Sequence, residues 1–204
     1  MYKMYDVPYD RSDLEPHIAA EVLSPHYKKL YQGYVNGYNG AEIRMKEWRG
    51  GILRQHICYK NIQEDLTYQG SGAILHRLFF ENLCPPEKAL IAADEFLQLV
   101  QFIQRDFGSW DIFMQELTQA ATSLRGNGWA VLAWIDEFKR LEILQIEGHN
   151  LMTMPGTRPI LVLDMWEHAY YAQYGTDKLD YFNNLMKVIN WRVAQARFKE
   201  IINE

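Results

Sequence analysis

The sequence predicts an α+β protein in two parts, with helix alone in the first and three antiparallel strands among helices in the second. Three observations predict this. Apolar residues recur at helical spacing early in the chain, as in Leu14, Ile18 and Val22. Pro85-Pro86 is the strongest break and divides the chain into domains 1–86 and 87–204. Beyond it, the apolar runs 129–135 and 141–147 flank a polar stretch, 136–140, and read as a hairpin, with 159–163 as a third short strand.

The elements follow in order. Pro8, in Val7-Pro8-Tyr9-Asp10, makes the first ten residues an extended arm. A helical pattern then runs from Leu14 to about Trp48. Within it Ser24-Pro25 predicts a restart, with Ser24 as N-cap and His26 in the first turn. Tyr27, Tyr31 and Tyr34 fall on one stripe, which reads first as packing. Gly50-Gly51 interrupts the pattern, and 52–66 is ambiguous between helix and loop. A helix over 73–82 surrounds His76. After the break, 87–106 is an amphipathic helix with Leu90, Phe96, Leu97, Val100 and Ile103 as its apolar set. Ser109 caps a further helix to Ser123, Gly126-Asn127-Gly128 is a turn, and a closing helix covers 178–202.

Composition excludes several classes. With 48% hydrophobic and 23% charged residues, the chain is neither disordered nor of low complexity. No apolar run reaches the ~20 residues of a membrane span, and the start lacks the apolar core of a secretory signal, so no membrane partner is expected. Lys and Arg number 21 against 26 Asp and Glu, and this net charge of −5 argues against a nucleic-acid partner. Cys58 and Cys84 are too few for a disulfide framework, which points to a reducing, cytoplasmic setting. The 14% of aromatic residues can build a dense core or wall off a dry site.

Of the six histidines, His17, His26, His56, His76, His149 and His168, one sits in an informative pattern. Asp164 and His168 are four apart, directly after an apolar strand, where a carboxylate and an imidazole can converge. Spacing leaves two readings open, metal ligation or a helix start with Asp164 as cap and Glu167 in a capping-box role. Other chemistries lack support. Gly70-Ser71-Gly72 has no following Lys-Ser or Lys-Thr for a phosphate loop, no G-x-S-x-G elbow is present, and neither cysteine adjoins a histidine.

Asp164-Met165-Trp166-Glu167-His168-Ala169-Tyr170-Tyr171 resembles the D-x-W-E-H-A-Y-Y signature of the iron/manganese superoxide dismutases. The resemblance spans the chain in order. It includes Val7 to Ile18, His26 with Tyr34-Val35-Asn36, His76-Arg77-Leu78-Phe79, Arg105 to Ser109, Gly126-x-Gly128-Trp129 and Val188-Ile189-Asn190-Trp191. It implies an N-terminal helical hairpin, then a C-terminal α/β domain with a three-stranded antiparallel sheet. Between them would lie one Fe or Mn ion per chain, held by His26, His76, Asp164 and His168. The implied reaction converts superoxide to dioxygen and hydrogen peroxide. The alternative is a weak or inactive metal-binding homologue on the same fold. A third imidazole leaves too few open positions for a dioxygen-activating two-histidine centre.

The resemblance also implies roles around the metal. The family places a Gln beside a solvent molecule on the metal, from a position near Gly72 and Ala73 or from the loop after the second strand. This chain has His149 in that loop, which makes it the candidate to hold and tune that solvent. Tyr34 is the expected gateway tyrosine, and Trp129 and Trp166 the expected walls of a dry cage. Glu167, His168 and Tyr171 would form a homodimer contact, and two such dimers a homotetramer. Val162 and His149 are not the marks of a strictly Mn enzyme, which points to Fe or to use of either metal. Lys29 and Lys178 are candidates to steer the anionic substrate. The chain departs from the common pattern at Leu30, Phe80, Val131 and Lys178, none of them a ligand position.

Overall fold

A computed structural model describes residues 1–54, 58–89, 97–151 and 153–203. The expectations that fall on His56, Leu90 and Phe96 lie outside the described residues. Chain order is a 3-10 turn at Arg11–Leu14, α1 (Ala20–Pro25), a π-helical segment at His26–Tyr31, α2 (Gln32–Arg49), α3 (Tyr59–Glu81) and α4 (Pro86–Ala89). Then come α5 (Leu97–Phe107), α6 (Trp110–Thr122), β1 (Gly128–Ile135), β2 (Arg140–Glu147), β3 (Thr157–Asp164), α7 (Glu167–Tyr174), α8 (Lys178–Leu185), a 3-10 turn at Met186–Val188 and α9 (Trp191–Asn203).

The N-terminal part is a helical hairpin of α2 and α3. Its antiparallel register is visible in the pairs Tyr34 with Gly72, Gly37 with Gln69 and Arg44 with Asp65. Glycine permits this close approach, because a Cβ on Gly37 would lie 2.5 Å from Gln69 Oε1. In the C-terminal part β1 is the central strand of a three-stranded antiparallel sheet of order β2-β1-β3. Every residue of β1 is buried, which explains its unbroken apolar run. Trp129 pairs with Ile146 on one side and Asp164 on the other, so the sheet register itself sets Trp129 beside the end of β3.

Two expectations require correction. Ser24 is not an N-cap, because helix has already begun at Ala20 behind Ala19. Pro25 lies inside the helix with φ −67° and ψ −34°, and the ladder widens to π spacing from the next residue. Proline offers no N–H to the preceding turn, and such widened turns occur often at functional sites. The closing helix is two helices, since Ile189 bridges to Leu83 and Asn190 N–H donates to Asn82 O at 2.7 Å, taking the chain out of helix. The ambiguous segment resolves from Tyr59 onward as the first turns of α3. The cap at Ser109 is as expected, its Oγ accepting from Ile112 N at 3.1 Å.

The two parts are clamped at the C-terminal end of α3. Arg197 of α9 donates Nη2 to Glu81 Oε2 at 2.8 Å and Nη1 to Asn82 Oδ1 at 3.0 Å. Its Nη1 also donates to Ile160 O of β3, and Asn82 Nδ2 to Val162 O at 3.1 Å. The clamp therefore registers α3 against the last residues of β3, the strand that ends at Asp164. Trp129, Tyr31, Phe79 and Phe80 are among the large rings fully buried around that end. Side chains of this kind each contribute ~1.5–3 kcal/mol on burial.

Candidate metal centre

Four side chains from four places in the chain meet between the two parts. His26 begins the π-helical segment, His76 lies in α3, Asp164 ends β3 and His168 lies in the first turn of α7. Their candidate ligand atoms all lie within 4.8 Å of one another. Asp164 Oδ2 is the focus, 3.1 Å from His26 Nε2, 3.2 Å from His168 Nε2 and 3.8 Å from His76 Nε2. His26 is 2% exposed and His76 and Asp164 are 0% exposed, so water does not satisfy them. The Nε2 atoms of His26 and His76 make no hydrogen bond. Buried nitrogens left without partners carry a large free-energy cost, which a cation between them would remove.

That donor set fits a first-row transition ion. Three imidazoles and a carboxylate suit Fe or Mn. First-row ions hold such ligands at roughly 2 Å, so ligands of one ion stand about 4 Å apart or less, and the donors here, within 4.8 Å of one another, would draw in slightly around it.

Local structure aims each group. Trp166 N–H donates to Asp164 Oδ1 at 2.9 Å, which leaves Oδ2 facing the histidines. Asp164 is therefore not the cap of α7, whose N-cap is Trp166 with no side-chain cap bond, and the helix-start reading of this carboxylate falls. Gly72 O lies 2.7 Å from His76 Nδ1. A carbonyl can only accept, so Nδ1 carries the proton and Nε2 presents a lone pair inward. Burial lowers the His26 imidazole, against the pull of Asp164, and lowers His76 further. Burial alone would raise Asp164, but His168 and His26 outweigh it and hold the carboxyl well below the usual range. The neutral imidazoles of His26 and His76 beside the anionic carboxylate of Asp164 are in the protonation state that binds a metal.

Around the four is an aromatic shell. Phe79 stacks on His26 at 5.5 Å, Phe80 meets the same ring edge-on at 5.0 Å and Trp129 meets His76 at 4.9 Å. Val131 is buried in β1. His149 follows β2, is 2% exposed and stacks on Trp166 at 4.6 Å. Trp129 Nε1–H donates to His149 Nδ1 at 3.1 Å, so the ring proton sits on Nε2, which has no partner. Burial pushes the His149 imidazole down to about 4. Tyr34 stacks on His76 at 4.8 Å and stands edge-on to His149 at 4.6 Å. Burial, then Tyr68, push its phenol well above the ordinary value.

The other candidates separate. Tyr27 and Tyr31 serve the N-terminal arm, Tyr27 donating to Tyr5 O at 2.6 Å and Tyr31 accepting from Tyr5 N at 3.0 Å. Lys29 is exposed, whereas Lys178 Nζ is held by Leu124 O at 2.7 Å. Glu167 and Tyr171 lie exposed on α7 beside His168. His17 is remote in role, its Nδ1 3.0 Å from Asn184 Oδ1. Tyr68, on α3 and 4.7 Å from His149, carries no motif of its own in the sequence; its place four residues before Gly72 and eight before His76, on the same helix face, is the signal that points to it.

The alpha-hairpin domain of iron/manganese superoxide dismutases matches residues 1–84, and the C-terminal domain of the same family matches residues 95–197. The chain belongs to the iron/manganese superoxide dismutase family. It is 38% identical over 202 residues to an iron superoxide dismutase of Pyrobaculum aerophilum, covering 99% of this chain and 94% of that protein. An iron superoxide dismutase of Methanothermobacter thermautotrophicus is 36% identical over 201 residues, with 98% and 96% covered. A manganese/iron superoxide dismutase of Aeropyrum pernix is 33% identical over 202 residues, with 99% and 92% covered.

Proposed function

We propose that the protein is a superoxide dismutase, with His26, His76, Asp164 and His168 holding one Fe or Mn ion. One observation carries the reading: three imidazole nitrogens converge on one oxygen of a fully buried carboxylate. When bound, the ion supplies one-electron chemistry between its +3 and +2 states, which turns superoxide into dioxygen and hydrogen peroxide.

The protein side chains do the rest. Asp164 brings the single negative charge of the donor set, and Trp166 N–H keeps it oriented. The shell of Phe79, Phe80, Trp129 and Trp166 excludes water and competing ligands, and it strengthens electrostatic interactions inside. Tyr34 and His149 hold protons at Oη and Nε2 beside the centre, where a reduced oxygen species needs them. No donor of the set is missing, so nothing favours an inactive homologue.

Further readings rest on the same family membership. We place the domain boundary at Pro85-Pro86 and the dimer contact at Glu167, His168 and Tyr171. Tyr171 is 56% exposed beside the centre, an uncovered ring that an isologous contact would bury. Use of Fe, or of either metal, fits His149 at the tuning position. Two free cysteines fit the reducing cytoplasm. Among the described residues, no helix is long and apolar enough to cross a membrane. Metal analysis paired with a dismutation assay tests the main reading: about one ion per chain with rapid loss of superoxide supports it, and a loaded but inert protein defeats it.

A further inference from the structure

Tyr68, Gly72 and His76 follow at four-residue spacing along one face of α3. Gly72 leaves a gap in that face, and the Tyr34 ring fills it, 2.6 Å from where a Cβ would stand. Tyr34 thereby has Tyr68 on one side, ring centres 6.2 Å apart, and His76 on the other at 4.8 Å. His149 closes the group, 4.6 Å from Tyr34 and 4.7 Å from Tyr68. Access to water differs sharply within it. His76 is 0% exposed and His149 2%, whereas Tyr68 is 37% exposed. The Tyr68 phenol also interacts with that of Tyr34. The side chain of Leu30, one helical turn before Tyr34, carries no exchangeable proton.

Resting on the dismutase reading, we propose that Tyr68 is the outer member of a proton relay that resupplies Tyr34, and through it His149, from solvent. Peroxide formation consumes protons; His149 is closed to bulk water, Tyr34 is half-buried, and Tyr68 is the exposed member of the group, the outermost oxygen from which Tyr34 can be resupplied. Tyr34 Oη passes its proton inward and takes one from Tyr68 Oη, which takes one from water. Each oxygen loses one proton and gains one, only bonds to hydrogen change, and no electron moves. Tyr68 touches neither substrate nor metal and acts through Tyr34.

Tyr68→Phe keeps the ring and removes the oxygen. Nuclear magnetic resonance on the metal-free full chain measures exchange of the Tyr34 hydroxyl proton with water, expected to slow about tenfold in Tyr68→Phe. In the Fe- or Mn-loaded protein, metal content is expected to be unchanged and turnover at saturating superoxide to fall about tenfold, restored by imidazolium in solution. Either measurement within about twofold of the parent overturns the relay. So does a loss of turnover that imidazolium leaves untouched, because that is lost packing. A parent protein that is loaded yet inert defeats the dismutase reading instead, and the exchange rate still decides the relay.

Discussion

The ring of Tyr34 occupies the space that any side chain at Gly72 would need, with an added Cβ falling 2.6 Å from Tyr34 Cδ1. The carbonyl of Gly72 also accepts from His76 Nδ1 at 2.7 Å, so one residue seats both the phenol and the imidazole. Gly72→Ala forces the ring off its seat. Overpacking costs about 1–3 kcal/mol, partly offset by ~1 kcal/mol of helix propensity. A net loss of about 1 kcal/mol in urea denaturation is expected, with Tyr34 displaced in a crystal structure. Unchanged stability with an unmoved ring contradicts this.

Metal binding should link the two parts of the chain. A ligand at about a thousand times its dissociation constant stabilises the folded state by ~4 kcal/mol. Adding Fe or Mn to the metal-free protein is therefore expected to raise its melting temperature by several degrees. His168 is the donor least buried, at 21% side-chain exposure, so its removal disturbs the core least. His168→Ala should melt at the same temperature with and without metal, as read by calorimetry.

The Arg197–Glu81 pair couples α9 to α3 with 14% side-chain exposure at each end. Each end keeps other partners, since Arg77 Nη1 lies 2.8 Å from Glu81 Oε1 and Arg197 also bonds Asn82 Oδ1 and Ile160 O, so removing one end costs the charged hydrogen bond between them, about 1.5–3 kcal/mol. Arg197→Met and Glu81→Gln are each expected to lose roughly this much in denaturant titration, and the double variant less than the sum. Strict additivity would show that the two do not interact.

Glu167 is exposed on α7 next to His168. If the two pair reciprocally across a two-fold axis, Glu167→Ala removes both contacts at once. Sedimentation should then show a dimer dissociation constant raised at least about tenfold. An unchanged constant rules the contact out.

The two thiols should behave differently. Cys58 is exposed, whereas burial pushes the Cys84 thiol up to about 11. Only the thiolate reacts, so Cys84 stays inert near neutral pH and gains reactivity only as pH approaches 11. A disulfide reagent at pH 8 should titrate one thiol in the native protein and the second only on unfolding.

Asp164 and His168 were legible locally, because a four-residue step after a strand brings both to one point. His26 and His76 were not. No local pattern links residues fifty apart, and only resemblance to a family put them together. The strands were legible because β1 is buried throughout. The helix through Pro25 was misread because the π segment behind it makes room where cap chemistry predicts a start. The break at Asn190 was hidden because its cause is a partner more than a hundred residues away, the carbonyl of Asn82. Tyr68 escaped notice because its meaning depends on Tyr34, which reaches it only across the hairpin.

The most direct test reloads the metal-free protein with Fe and with Mn separately, then measures bound metal and the rate of superoxide loss together. The account predicts about one ion per chain and catalysed dismutation with at least one of the two metals. Stoichiometric loading with both, while superoxide decays only at its uncatalysed rate, would contradict it.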